Sequence, residues 1–360
     1  MKLKDSIRYV GDFLEVKRCR RKMQPPPSIL FPLIWITGKC NLKCKMCDQW
    51  LEEKQPVDEL STKEWLEVID SACNLRAAII LITGGEPFLR ADIFDILGYI
   101  RRKGLSSHIC TNGTLLNESV VEKLKSSGLD SISVSLDSHI PEVYNIIRGA
   151  HVFDDVVNGI KILRKGIPRL KIGINCFISK SNFKDIYKMV PYAQSLGVDQ
   201  IKFDTIHTHL RHRKKSLTNV DELLFSEKDL PELSQEMHKL LTTFSKSRLL
   251  TNSRTFINGI IHAYNGKTHP WGCFAGYVSC TIDPSGKVTP CDNTDSGLDV
   301  RKNTLEEIWN SERFQELRNN VHNCSLACWD STHAELNIRC ARWGLFREFK
   351  QIARELNFYC

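Results

Sequence analysis

From residue 33 to about residue 206, short apolar runs alternate with segments whose apolar residues recur every three or four positions. That alternation is the pattern of βα units, because strands and helices turn different periodicities toward a core. The strands expected are Leu33–Gly38, Ala78–Thr83, Ser107–Thr111, Ser131–Leu136, Lys171–Ile178 and Gln200–Thr205. Between the first two, Ser61 and Glu64 make a capping box, and Trp65, Val68, Ile69 and Ala72 follow on one helical face. Ile93, Phe94, Ile96, Leu97 and Ile100 repeat the pattern ahead of Gly104. Asn117 can cap Val120, Val121 and Leu124 before Gly128, and Ile186, Met189, Val190 and Ala193 stop at Gly197. Parallel strands joined by crossover helices make an α/β fold, either an open sheet or a partial (β/α)6 barrel of TIM type. Both place ligand chemistry at the carboxyl ends of the strands.

The pattern divides the chain. A basic N-terminal extension (1–30) precedes the barrel core (31–210), and a polar stretch (211–270) reads as a helical connection. From about residue 271 the βα alternation stops and Cys, Gly, Pro and Trp rise, which marks a small cysteine-rich domain (271–345) and a C-terminal helix or tail (346–360). Within that domain Ile282 and Val288 flank Asp283-Pro284-Ser285-Gly286, a hairpin signal that would bring Cys273, Cys280 and Cys291 together. Thr304 and Glu307 make a second capping box for Leu305, Ile308 and Trp309, ahead of Cys324-x3-Cys328.

A chain of 360 residues with 42% hydrophobic and 26% charged residues is an ordinary globular protein, able to build a core without disulfides. Asp5, Asp12, Glu15 and scattered Lys and Arg leave no apolar h-region near the start, and no stretch reaches the roughly 18 apolar residues of a membrane span. The fourteen cysteines therefore point to a cytoplasmic chain in which clustered cysteines bind metal rather than pair. Two runs supply much of the net charge of +8: Lys17–Lys22 and Arg211–Lys215. Each reads as a solvated face or as contact with an anionic partner. Leu3, Ile7, Val10 and Leu14 beside the first run would also suit a helix in peripheral contact with a membrane surface. No nucleic-acid-binding module accompanies the charge.

Cys40-x3-Cys44-x2-Cys47 directly follows the first expected strand. Three thiolates in one loop can bind three irons of a [4Fe–4S] cluster and leave the fourth iron open for reaction. Zinc is the alternative, but it wants a fourth ligand, and Asp48 and Cys73 are poor candidates. His207, His209 and His212 are a further metal candidate whose spacing fits no single helix face. Cys19, Cys73, Cys110, Cys176 and Cys360 carry no motif, and Cys73 and Cys176 read as small buried residues.

The triplet resembles the signature of the radical S-adenosylmethionine (SAM) superfamily, and the resemblance spans residues 33–206. It implies a [4Fe–4S] cluster whose open iron binds SAM, reductive cleavage to a 5′-deoxyadenosyl radical, and hydrogen abstraction from a substrate. Met46 stands where the family often has an aromatic residue against the adenine. Thr83-Gly84-Gly85-Glu86-Pro87 is similar to the family's GGEP turn, whose backbone would meet the SAM amino group. Asn112 in Thr111-Asn112-Gly113 ends the third strand. Ser133, Ser135 and Asp137 resemble the ribose-binding face of the fourth, and Arg148 the guanidinium that receives the SAM carboxylate. Asn175 and Ser179 are weaker candidates on the fifth.

The C-terminal cysteines resemble the SPASM/twitch extension of the same superfamily, in the Cys-x12-Gly-x4-Cys spacing and the Asn303-Thr304-Leu305-Glu306-Glu307-Ile308-Trp309 helix. The CxxC pair of a full SPASM domain is missing, so the resemblance implies one auxiliary [4Fe–4S] cluster. Its ligands would be Cys273, Cys291 and Cys328 with Cys280 or Cys324 as the fourth; Cys340 is a spare, and structural zinc is the alternative. A flavodoxin- or ferredoxin-type donor follows from the same resemblance. The substrate stays open between a small or lipid-linked molecule (a sugar, lipid or cofactor precursor) and a peptide. No separate leader-recognition domain fits ahead of the barrel, which leans toward the former. A non-catalytic iron–sulfur or electron-transfer protein is the contrasting class.

Overall fold

A computed structural model describes residues 3–47, 58–206, 220–265, 271–326, 328–341 and 344–359. Six parallel strands form the core sheet: β1 (Leu33–Trp35), β2 (Ile79–Thr83), β3 (Ser106–Thr111), β4 (Ser131–Ser135), β5 (Lys171–Ile178) and β6 (Gln200–Thr205). They pair in chain order from β1 to β6, as right-handed βα units demand. The crossovers are α2 (Thr62–Asn74), α3 (Ile93–Arg102), α4 (Glu118–Ser127), α5 (Pro141–Arg148) with α6 (Phe153–Gly166), and α7 (Met189–Ser195); they follow α1 (Leu3–Lys22) at the start of the chain. The Ser61–Glu64 capping box closes in both directions, Asn117 caps α4, and Gly128 ends it in the left-handed conformation. Trp65, Val68, Ile69 and Ala72 bury the face of α2 that their spacing marked. Fully burying one such apolar side chain contributes roughly 1.5–3 kcal/mol, so the helices are held on the sheet by packing more than by propensity.

The cysteine-rich segment is less separate than its composition suggests. Its hairpin, β7 (Thr281–Ile282) and β8 (Val288–Thr289), forms around Asp283, whose Oδ1 accepts from the Ser285 and Lys287 amides at 2.9 Å. But β7 pairs parallel with β1, so the hairpin extends the core sheet to eight strands. At the other edge, Leu250 bridges to Ile201 of β6. That residue belongs to the connection holding α8 (Leu230–Thr243) and α9 (Arg254–Gly259). Then come α10 (Leu305–Asn310), α11 (Glu312–His322), α12 (His333–Cys340), α13 (Gly344–Arg347) and α14 (Phe349–Tyr359).

The last helix is no tail. It lies across the amino-terminal end of the barrel, where Phe358 meets Gly173 and the Tyr359 ring stands edge-on to His108 at 4.8 Å. Glu355 pairs there with Lys202 of β6 at 2.6 Å and with Arg339 of α12. Nor is α1 free. Phe13 and Val16 pack with Leu30, Phe31, Phe274, Tyr277 and Ile352, while Leu14 faces solvent. The side chains of Leu3, Ile7 and Val10 lie outside the described residues, as do Asp48, His207, His209, His212, Arg211–Lys215 and Cys360. No helix among the described residues is long and apolar enough to cross a membrane.

Candidate functional site

The loop after β1 carries Cys40, Cys44 and Cys47 over the carboxyl ends of the strands. Cys44 and Met46 are buried, and Cys40 and Cys47 are partly exposed. The Leu42 amide approaches Cys40 Sγ at 3.5 Å, and Asn112 Nδ2 approaches it at 3.9 Å. Arg148 Nη1 lies 3.9 Å from Cys44 Sγ. Burial pushes the Cys44 thiol up to about 11, and the Arg148 charge opposes that shift. Hydrogen-bond donors and a cation around the sulfurs are what thiolate ligands of an iron–sulfur cluster require.

The GGEP turn holds this loop. The Gly85 amide donates to Thr37 O at 2.8 Å and the Glu86 amide to Lys39 O at 2.7 Å. A Cβ at Gly85 would sit 2.0 Å from Lys39 O, and one at Gly84 (φ +123°) would sit 2.4 Å from Thr37 O. The glycines thus admit the cluster loop's own backbone, a sharper reason than close approach of a ligand. Glu86 is fully buried and accepts from Thr111 Oγ1 and the Asn112 amide, both at 2.8 Å, and from the Phe88 amide at 3.2 Å. Burial raises its carboxyl to about 7 against those bonds. Pro87 starts the short 3₁₀ turn that Glu86 caps. Asn112 passes the hold onward, donating to Asn41 Oδ1 at 2.9 Å and accepting from the Thr114 hydroxyl at 2.7 Å.

Ser133, Ser135 and Asp137 part company. Ser135 lines a cavity inside the barrel, and Ser133 Oγ is buried without a protein partner. Asp137 is fully buried, accepts from the Phe177 amide at 2.9 Å and pairs with Arg148 Nε at 2.7 Å. Two residues expected to meet different parts of one ligand are therefore partners of each other. Arg148 Nη2 stays buried without a hydrogen-bond acceptor beside Cys44, so a polar or anionic group delivered there would satisfy it. That orphan donor and the thiol set fit a cluster with SAM. Asn175 lines the cavity, whereas Ser179 donates to Asn182 Oδ1 at 3.2 Å.

The cavity, about 330 Å³, runs from Trp35, Thr83, Cys110, Ser135 and Asn175 down to a floor of His108, Lys202, Arg339, Glu355 and Tyr359. The sequence reading missed that floor, because α12 and α14 bring Arg339, Glu355 and Tyr359 to it from the far end of the chain. Only the polar residues on β3 and β6, His108 and Lys202, hinted that the interior was not all apolar.

In the C-terminal segment the thiols of Cys273, Cys291, Cys324 and Cys328 lie close enough to influence one another's ionisation. Amides two residues on approach Cys273 (Ala275, 3.4 Å) and Cys324 (Leu326, 3.5 Å), as Leu42 does at Cys40. The hairpin does not bring Cys280 into this group. Cys280 directly precedes β7, and pairing with β1 fixes its carbonyl to the Leu33 amide at 2.9 Å and turns its thiol into the core beside Arg318. Cys340 is buried on α12, near Lys17 and Arg20. Cys73 is half-buried rather than buried, and Cys176 is buried as expected. No three His, Cys, Asp or Glu side chains among the described residues close to single-ion distance. A cubane cluster, in which each iron takes its own thiolate, holds its ligands farther apart.

A parallel α/β half-barrel with a three-cysteine loop over the carboxyl ends of its strands is the arrangement expected of a SAM-dependent iron–sulfur protein. The chain matches the radical SAM superfamily over residues 34–209 and SPASM, an iron–sulfur cluster-binding domain, over residues 273–330. It is 30% identical over 293 residues to the AdoMet-dependent heme synthase of Methanosarcina barkeri, covering 79% of this chain and 83% of that one. It is 28% identical over 306 residues to the PqqA peptide cyclase of Granulibacter bethesdensis, covering 82% and 77%. The solved structure of Streptococcus suis SuiB bound to its precursor peptide SuiA superposes with a TM-score of 0.66 at 18% identity, over 82% of this chain and 68% of that one. The protein belongs to the radical SAM superfamily, in its SPASM branch, and is an enzyme. Its cofactors are a [4Fe–4S] cluster, SAM and auxiliary iron–sulfur, and its work requires an electron donor.

Proposed function

We propose that this enzyme takes hydrogen from a small molecule (a sugar, lipid or cofactor precursor) held in the barrel, in the reducing cytoplasm. Cys40, Cys44 and Cys47 would hold the cluster, which would supply the electron for reductive cleavage of SAM. Arg148 and Asn112 hold the cysteine sulfurs by donating toward them, and Arg148 Nη2 is free to receive the SAM carboxylate. Glu86, Gly84, Gly85 and Pro87 keep the loop against β2 and β3. Ser135 and Asn175 face the substrate side. Cys273, Cys291, Cys324 and Cys328 hold one auxiliary [4Fe–4S] cluster.

The observation that carries the small-molecule reading is the cavity itself: about 330 Å³, walled by strand ends next to the triplet loop and closed beneath by Lys202, Glu355, Arg339 and Tyr359. That volume is at the lower end of small-ligand sites. A peptide substrate is the second reading, favoured by relatives whose names specify a peptide. The test is anaerobic reconstitution with SAM and dithionite. Formation of 5′-deoxyadenosine is expected, and its absence from fully iron-loaded protein sinks the catalytic reading. Stimulation of that turnover by a low-molecular-weight extract fraction, and not by its peptides, is expected; the reverse would establish the peptide reading.

A further inference from the structure

Arg20 lies in the basic run that ends α1, far in sequence from any cysteine motif. In the fold its Nε donates to the carbonyl of Cys273 at 2.7 Å, and its guanidinium stacks 4.6 Å over the Phe274 ring. Gly272 leaves room for it: a Cβ there would sit 2.1 Å from Arg20 Nη2. The guanidinium is half-buried, and no carboxylate among the described residues pairs with it. Arg18, exposed and two residues earlier, has Glu15 instead. Even a half-buried cation is disfavoured without a counter-ion, and an anion beside it would offset that cost. Four thiolates outweigh the charge of a [4Fe–4S] core, so an all-cysteine cluster is an anion, and it becomes more negative when reduced.

We propose that Arg20 is the resident counter-charge of the auxiliary cluster and sets its reduction potential, a positioning residue rather than a ligand. The proposal rests on the auxiliary reading of Cys273, Cys291, Cys324 and Cys328. It gives the N-terminal basic run an anionic partner inside the molecule. A fixed cation beside one ligand stabilises the form carrying the extra electron, so Arg20 holds the potential up. Lys17, one turn earlier, donates to Ala341 O at 3.0 Å and ties the same helix down without touching Cys273.

The test uses the full chain with Cys40, Cys44 and Cys47 replaced by Ala, so that only auxiliary iron remains, and reads the potential by electron paramagnetic resonance titration. Iron content is measured first, and absence of iron from this parent refutes the auxiliary reading, not the role of Arg20. Arg20→Gln is expected to lower the reduced-to-oxidised ratio at fixed potential about tenfold, equivalent to about 59 mV for one electron. Arg20→Lys, which keeps the charge, is expected to hold most of the parent value. An unchanged potential in Arg20→Gln overturns the proposal, as does a full tenfold fall in Arg20→Lys. Should Arg20→Gln shed its iron, Arg20→Lys decides alone, and loss of iron from both leaves Arg20 a purely structural residue. Lys17→Gln must leave the potential in place; an equal fall there overturns the assignment to Arg20.

Discussion

The two cysteine sites of this enzyme are built on opposite plans. The three proposed SAM-side ligands, Cys40, Cys44 and Cys47, fall within eight consecutive residues on one loop after β1. The C-terminal thiols are gathered from Cys273 through Cys328, across a hairpin and two helices, with α1 packed behind them. In the first, the chain's own local geometry brings the sulfurs together, and distant residues such as Glu86, Asn112 and Arg148 only fix the loop. In the second, the ligand set itself depends on tertiary packing. Four candidate thiols are gathered, whereas Cys280, equally plausible by spacing, is turned into the core because β7 pairs with β1.

The sharpest break between the two sites comes from replacing Cys40, Cys44 and Cys47 with Ala. Formation of 5′-deoxyadenosine should fall to background while about four irons per chain remain, measured by product chromatography and iron assay. Next in size, Cys324→Ser should lose the auxiliary iron and Cys280→Ser should keep it; equal loss from both would return Cys280 to the ligand set. Gly85→Ala tests the surround of the local site. Its Cβ falls 2.0 Å from Lys39 O, so the loop must move. A cost of roughly 1–3 kcal/mol is expected by thermal or urea unfolding, with cluster loss confined to the SAM side.

A pH-dependent effect concerns Glu86, whose carboxyl burial raises from 4.5 to about 7. The folded state then binds a proton that the unfolded state has released, so stability falls as pH rises from 4.5 to about 7. Glu86→Gln cannot titrate, and the urea midpoint of the variant should be flatter across that window. An unchanged slope would mean that Glu86 is ionised throughout and held by the Thr111, Asn112 and Phe88 donors.

Much of this contrast was legible beforehand. The strands β2 to β6 fall within a residue of their expected limits, because alternating apolar runs can bury themselves in only one way between amphipathic helices. β1 is shorter than expected, ending at Trp35, since Thr37 and Gly38 turn away to meet Glu59. The hairpin at Asp283–Gly286 and both capping boxes formed as their residue types require. The Asp137–Arg148 ion pair was not foreseen, since each residue was matched to a ligand by its place on a strand or helix and not to the other.

By itself the sequence determined the half-barrel and the radical SAM class, and it offered the cysteine triplet as the cluster site; each of these was read from patterns among residues close together in the chain. Tertiary structure alone decided that Cys324 and not Cys280 joins the C-terminal thiols, that α14 closes the barrel floor with Glu355 and Tyr359, and that Arg20 reaches Cys273. The physical reason is the same for all three. Each contact joins segments that are far apart along the chain, and only the packed sheet fixes which of many candidate partners they meet.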